Sequence, residues 1–213
     1  MGNAAQWSTA DVRAAAAAER RELADVLDGL SSGQWDVPSL CAGWRVREVA
    51  AHMSMGFRQS LPRTLWEVVK AGGLHRMTTR CARRDAAVSP TGRLAAWLRD
   101  NADHPWTPPV GGYVSALGHD VVHGLDITVP LGLGRRVPEE RLRILLAATT
   151  PKGTRFFGAD LDGVELHATD LDWSYGTGSR LSGSAQDLLL VTFGRKLPQG
   201  RLEGERSGRF TLV

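Results

Sequence analysis

Lysine is scarce in this chain. Of 26 basic residues only Lys70, Lys152 and Lys196 are lysine, and the other 23 are arginine. With abundant alanine and glycine, that bias points to a GC-rich source and has no bearing on fold. Cysteine is scarce too: Cys41 and Cys81 form no CxxC pair and no disulfide framework. No apolar run approaches the roughly 20 residues that span a bilayer, so no membrane partner is expected. "ADVRAAAAAERREL" has charge on both sides of a short alanine run, so it reads as a soluble helix rather than a signal peptide. A cytoplasmic location is the resulting expectation. A strong charge of one sign is also missing, with a net charge of only +3 despite a pI near 9.2. The densest basic stretches, "RRDAAVSPTGR" and "GRLEGERSGR", interleave no aromatics, so no nucleic-acid partner is expected.

What is present is an ordinary globular composition, 42% hydrophobic and 23% charged, over 213 residues. That length suffices for one large domain or two modest ones. Leu23, Val26, Leu27 and Leu30 recur at helical spacing in a segment over about residues 9 to 30, with Ser8 or Thr9 as its cap. "GWRVREVAAHMSMGFRQS" has the clearest amphipathic pattern, with Val46, Val49, Ala50, Met53 and Phe57 on one stripe. "TLWEVVKAGG" predicts a short helix ended by glycine, and residues 74 to 90 read as an irregular, basic connection. Helix resumes after Pro90, "DHPWTPPVGG" must be loop, and Tyr113 to about Thr128 is helix again. "VPEERLRILLAAT" is a further helix. After about Thr150 the pattern changes to a hairpin in "VELHATDLDWSYGTG", a capped helix in "SGSAQDLLLVTFGRK" and a closing strand in "RSGRFTLV". The expectation is an α+β fold, mostly α: a helical bundle over residues 1–150, then a small α+β domain over 151–213.

Two of the six histidines stand four apart in "GHDVVHGLDI". At 100° per residue, Leu117, Val121 and Leu125 centre near about 80° on the helical wheel, while His119, His123 and Asp126 lie between roughly 220° and 280°. Two imidazoles at i and i+4 can share one metal ion, as in zinc metalloproteases. The protease motif needs HExxH, and HDVVH lacks that glutamate, which argues against protease chemistry. Taken alone, the pair also fits a solvated face of a bundle helix. A third ligand must come from another segment, and His52 is the natural choice. Three protein ligands leave one coordination position open, as catalytic metals require. His75, His104 and His167 show no partner pattern.

Three stretches together resemble the mycothiol-dependent maleylpyruvate isomerase family of the DinB-like superfamily. The first is "PSLCAGWRVREVAAHM", with Pro38, Gly43, Trp44, Arg47, Glu48 and His52; the second is "GHDVVHGLDI". The third is "VELHATDLDWSYGTGSRLSGSAQDLLLVTFGR", similar to the family's small second domain. The resemblance implies a DinB-like four-helix bundle and a divalent metal, zinc, on His52, His119 and His123. It also implies mycothiol as cofactor or co-substrate, a small-molecule electrophile as partner, and an actinobacterial source. The isomerase itself is expected to have glutamate where this chain has His119, whereas a three-histidine set is what many DinB-like thiol transferases show. The implied activity is therefore S-transfer or cis–trans isomerisation; the alternative is a non-catalytic sensor or carrier, metal- or small-molecule-binding. Asp126, or else Asp120, is expected to hold the non-ligating nitrogen of a ligand histidine. Arg47, Arg58 and Arg195 are candidates for binding the cofactor or a carboxylate substrate. Cys41 reads as a small structural residue, and the assembly as monomer or homodimer.

Overall fold

The fold, taken from a computed structural model, is described for residues 7–212 and divides into two units, Thr9–Gly132 and a second from Leu133 onward. In the first unit α1 (Thr9–Asp28) buries Val12, Ala16, Leu23 and Leu27 along one side. The predicted stripe of α2 (Val46–Met53) is fully buried at Val46, Val49, Ala50 and Met53. Its first turn is closed by Glu48, whose Oε2 accepts from the backbone N–H of Arg45 at 2.7 Å. That bond satisfies one of the donors a helix start leaves open. The sequence predicts one helix running on past Phe57, but the structure breaks it at Ser54. The Ser54 hydroxyl donates to the Ala51 carbonyl at 2.9 Å, and helix restarts as α3 (Met55–Arg58). A hydroxyl bonded to the preceding turn competes with the helical ladder.

α4 (Leu61–Ala71) ends at Gly72, which takes φ 71°. The connection expected over residues 74 to 90 is instead α5 (Leu74–Val88). Its inner face is Met77, Cys81, Ala82 and Ala86, a stripe too weakly apolar to stand out between so many charges. Those charges are matched in the fold: Arg80 and Arg84 pair with Glu67, and Arg58 and Arg84 with Asp85. α6 (Thr91–Asp100) follows Pro90, and α7 (Gly112–Thr128) follows the proline-rich loop. α1 packs on α6 and α7, α2 packs on α6 and α7, and α5 lies against α2 with α4 on α5. The four-helix bundle is thus α1, α2, α6 and α7. Leu23, Leu27, Val49, Met53, Leu94, Leu98 and Ile127 meet at its centre.

The second unit opens with α8 (Glu139–Ala147) and α9 (Pro151–Phe156). Its sheet has the order β2-β1-β3-β4, from β1 (Val164–Ala168), β2 (Ser174–Gly176), β3 (Ser179–Gly183) and β4 (Leu202–Glu203). β1 pairs antiparallel with β2, as the hairpin reading expects, and parallel with β3, Leu166 facing Leu181. α10 (Ala185–Thr192) packs on β1 and β3 and receives α8 on itself. Ser184 caps it through the Asp187 N–H. The boundary expected near residue 150 falls inside this unit, because α8 packs on α10. The expected closing strand is a 3-10 turn over Ser207–Phe210, with a single bridge from Thr211 to Leu197. Arg209 anchors that turn by donating to the carbonyls of Asp160 and Asp162, and Val213 lies outside the described residues. No helix among the described residues is long and apolar enough to cross a membrane.

Candidate metal centre

Burial of Val46, Val49, Ala50 and Met53 leaves His52, in the last turn of α2, on the side towards α7. On α7 the burial of Leu117, Val121 and Leu125 turns His119 and His123 to the opposite side, as the wheel predicts. The packing of α2 on α7 therefore brings the three histidines together. One ring nitrogen of each lies within 4.8 Å of the others, and His119 Nε2 stands 3.3 Å from His52 Nε2. Ring centroids are 4.7 to 5.1 Å apart. Tetrahedral nitrogen ligands at about 2.0–2.1 Å from zinc stand roughly 3.3 Å from one another, so the donors present fit such an ion.

Two buried carboxylates set the orientation of the α7 rings. His119 Nδ1 bonds Asp120 Oδ1 at 2.9 Å, and His123 Nδ1 bonds Asp126 Oδ2 at 2.9 Å. A carboxylate accepts only, so Nδ1 is the protonated nitrogen in each pair, and in a neutral ring Nε2 is the one with a lone pair to offer the centre. Asp126 was the expected partner; Asp120 fills the same role for the neighbouring histidine. Cys41 is more than a small structural residue: its thiol donates to Asp126 Oδ2 at 3.0 Å and lies 3.7 Å from His123 Nδ1. The Leu40 N–H donates to the Asp126 carbonyl, which pins the turn before α2 onto α7.

Half-buried aromatics flank the histidines. The Trp44 ring is 5.1 Å from His52 and the Trp106 ring 5.5 Å from His119. Phe57 meets Trp106 edge-on at 5.9 Å, and His104 Nδ1 accepts from the Trp106 N–H at 3.1 Å. Trp106 comes from the proline-rich loop, and sequence reasoning missed it because its approach to His119 depends on tertiary packing alone. Its indole lies directly over Gly56, where a Cβ would overlap it.

The candidate arginines have other partners. Arg58 donates to Asp85 Oδ2 at 2.7 Å and to Ser54 Oγ, with its guanidinium 3.7 Å over the Trp97 ring. Arg47 reaches Asp36 at 3.4 Å, and Arg195 in the second unit donates to the Phe193 carbonyl. His75 lies on α5 and His167 on β1.

A helical bundle that gathers three histidines from two of its helices, two of them held by buried carboxylates, defines the class: a four-helix bundle with a candidate metal centre. Residues 16–105 match the family described as Mycothiol maleylpyruvate isomerase N-terminal domain. This is the family that the three sequence stretches resemble. The matched segment contains His52 and stops short of α7. Among solved structures, the crystal structure of the mycothiol-dependent maleylpyruvate isomerase superposes with a TM-score of 0.65 at 14% identity, covering 100% of this chain and 98% of that one. A histidine-to-alanine mutant of the same enzyme gives a TM-score of 0.62, with the same identity and coverage. At that identity the likeness shows the fold. No curated protein matches the sequence.

Proposed function

We propose that this chain is a metal-dependent enzyme that uses a low-molecular-weight thiol, mycothiol, against an electrophilic small molecule. The observation that carries this reading is the convergence of His52, His119 and His123, with the α7 rings aligned by Asp120 and Asp126. These three residues would hold one divalent ion, with zinc the proposed one among the metals that imidazole donors suit, leaving a position open. When bound, the ion would lower the pKa of a thiol so that it serves as a thiolate nucleophile. Asp120 and Asp126 keep the ring protons on Nδ1, while Trp44 and Trp106 flank the histidines.

In an isomerase the thiol would add to a conjugated double bond, the resulting single bond would rotate, and the thiol would leave as the double bond re-forms; in a transferase it would remain attached to the product. The matched domain and the superposed enzyme favour isomerisation of a maleylpyruvate-like substrate. His119 favours transfer, since the resemblance places glutamate there in the isomerase. A cytoplasmic, monomeric or homodimeric protein of actinobacterial origin completes the proposal. The alternative, a sensor or carrier, would bind metal and turn over nothing.

Protein purified without an affinity tag is expected to contain about one equivalent of metal. His52→Ala, His119→Ala and His123→Ala should each lose it, and His167→Ala should keep it. Incubation with mycothiol and either maleylpyruvate or a bimane electrophile should give a metal-dependent product. Metal far below one equivalent after supplementation would sink the centre, and bound metal without turnover would favour the sensor.

A further inference from the structure

Arg20 is a cation in the middle of α1 with only 2% of its surface exposed. A charge so deeply buried is held only where the fold supplies partners for it. Its Nε donates to Asp120 Oδ2 at 2.7 Å. Its Nη1 donates to the carbonyls of Ala102 at 3.1 Å and His104 at 2.9 Å. The guanidinium face lies 4.7 Å over the Phe57 ring. The other oxygen of Asp120 is the one that accepts from His119 Nδ1. One side chain thus touches the carboxylate that orients a candidate ligand, the loop that delivers Trp106, and the aromatic that Trp106 packs on.

We infer that Arg20 is a positioning residue of the histidine centre, acting through Asp120 to fix the ring of His119. The inference rests on the metal reading above for its effect on affinity, and on hydrogen-bond geometry for its effect on the ring. Only a planar fork of donors can serve an aspartate and two carbonyls while stacking on a ring. A lysine has the charge without the fork. The arm holding His123 is built differently, since Asp126 accepts from the neutral Cys41 thiol. A change at Arg20 should therefore act on His119 and leave His123 in place.

The test measures zinc affinity by chelator competition in Arg20→Lys, Asp120→Asn, Asp126→Asn and the two doubles that contain Arg20→Lys. Circular dichroism checks that each variant folds. Arg20→Lys is expected to weaken zinc about tenfold. Combined with Asp120→Asn it should add nothing to Asp120→Asn alone, whereas combined with Asp126→Asn the two losses should multiply. A second readout needs no metal: long-range proton–nitrogen spectra should show His119 as the Nδ1–H tautomer in the metal-free protein and as a mixture in Arg20→Lys. Losses that multiply for Arg20→Lys with Asp120→Asn, or an unchanged tautomer, would overturn the inference. If the unaltered protein binds no zinc, the functional reading fails, and the tautomer still decides the role of Arg20. Should Arg20→Lys not fold, Arg20→Gln/Asp120→Asn removes both charges together. Zinc affinity equal to that of Asp120→Asn would support the inference, and a further loss would overturn it.

Discussion

Asp126 sits wholly buried between two donors, His123 Nδ1 and the Cys41 thiol. Asp126→Asn keeps the shape and removes the charge that makes the imidazole a better ligand. It should weaken zinc binding by about 10- to 100-fold, read by chelator competition, because partners of ligand histidines carry that much affinity. Affinity equal to the unaltered protein would show that Asp126 serves the fold alone. Gly56 offers a complementary probe. Alanine is favoured over glycine inside a helix by about 1 kcal/mol, so Gly56→Ala should not unfold α3 on backbone grounds. Its Cβ would nevertheless overlap the Trp106 indole, which is half-exposed on a loop and would have to shift from its place between Phe57 and His119. The expected result is near-unchanged melting with a raised KM for thiol or electrophile; an unchanged KM would mean Trp106 has no part in binding. At this scale the sequence showed what local spacing encodes: His119, His123 and Asp126 share a helix face whatever surrounds them. Arg20 and Trp106 reach the centre from 100 and 13 residues away from Asp120 and His119 respectively, through contacts that spacing does not encode.

The helix that carries His52 depends on its first turn. Glu48 is 5% exposed, and burial alone would raise its pKa. The bonds from the Arg45 guanidinium and backbone N–H, with the charge of Arg45, outweigh that and hold it below the ordinary value of 4.5. A carboxyl depressed in the folded state contributes stability that is fully present above the ordinary value and is lost as pH falls through the lowered one. Glu48→Gln should therefore cost roughly 0.5–2 kcal/mol near neutral pH, the range of a lost helix cap, and flatten the acid side of the stability curve. Urea unfolding over a pH series checks this; parallel curves for the two proteins would count against it. Elements of strong periodicity such as α2 and α7 were legible in the sequence. α5 was not, because its buried face is methionine, cysteine and alanine and its charges find partners only in the fold. The break at Ser54 was equally hidden, since a serine hydroxyl turns back on its helix in some settings and faces solvent in others.

For the whole molecule, the notable fact is that all three histidines belong to the unit Thr9–Gly132. The sequence placed the change of character near residue 150, where composition shifts, whereas the contacts of α8 place it near 132. Composition reports what a segment is made of, and a domain boundary is set by what it packs against. The division has a thermodynamic consequence. A ligand that binds only the folded form stabilises it by RT ln(1 + [L]/Kd), about 2.7 kcal/mol at a hundredfold excess over Kd. For a unit of this size that corresponds to a rise in melting temperature on the order of 10 °C. Calorimetry of the full chain should then resolve two transitions, of which zinc raises one and a chelator returns it. The His52→Ala variant should show both transitions with neither moving. A single transition that shifts as a whole would mean the units unfold together, and a shift that survives His52→Ala with His119→Ala would place the ion elsewhere. The two failures look different on the thermogram, so one measurement tests the division of the chain and the position of the metal separately.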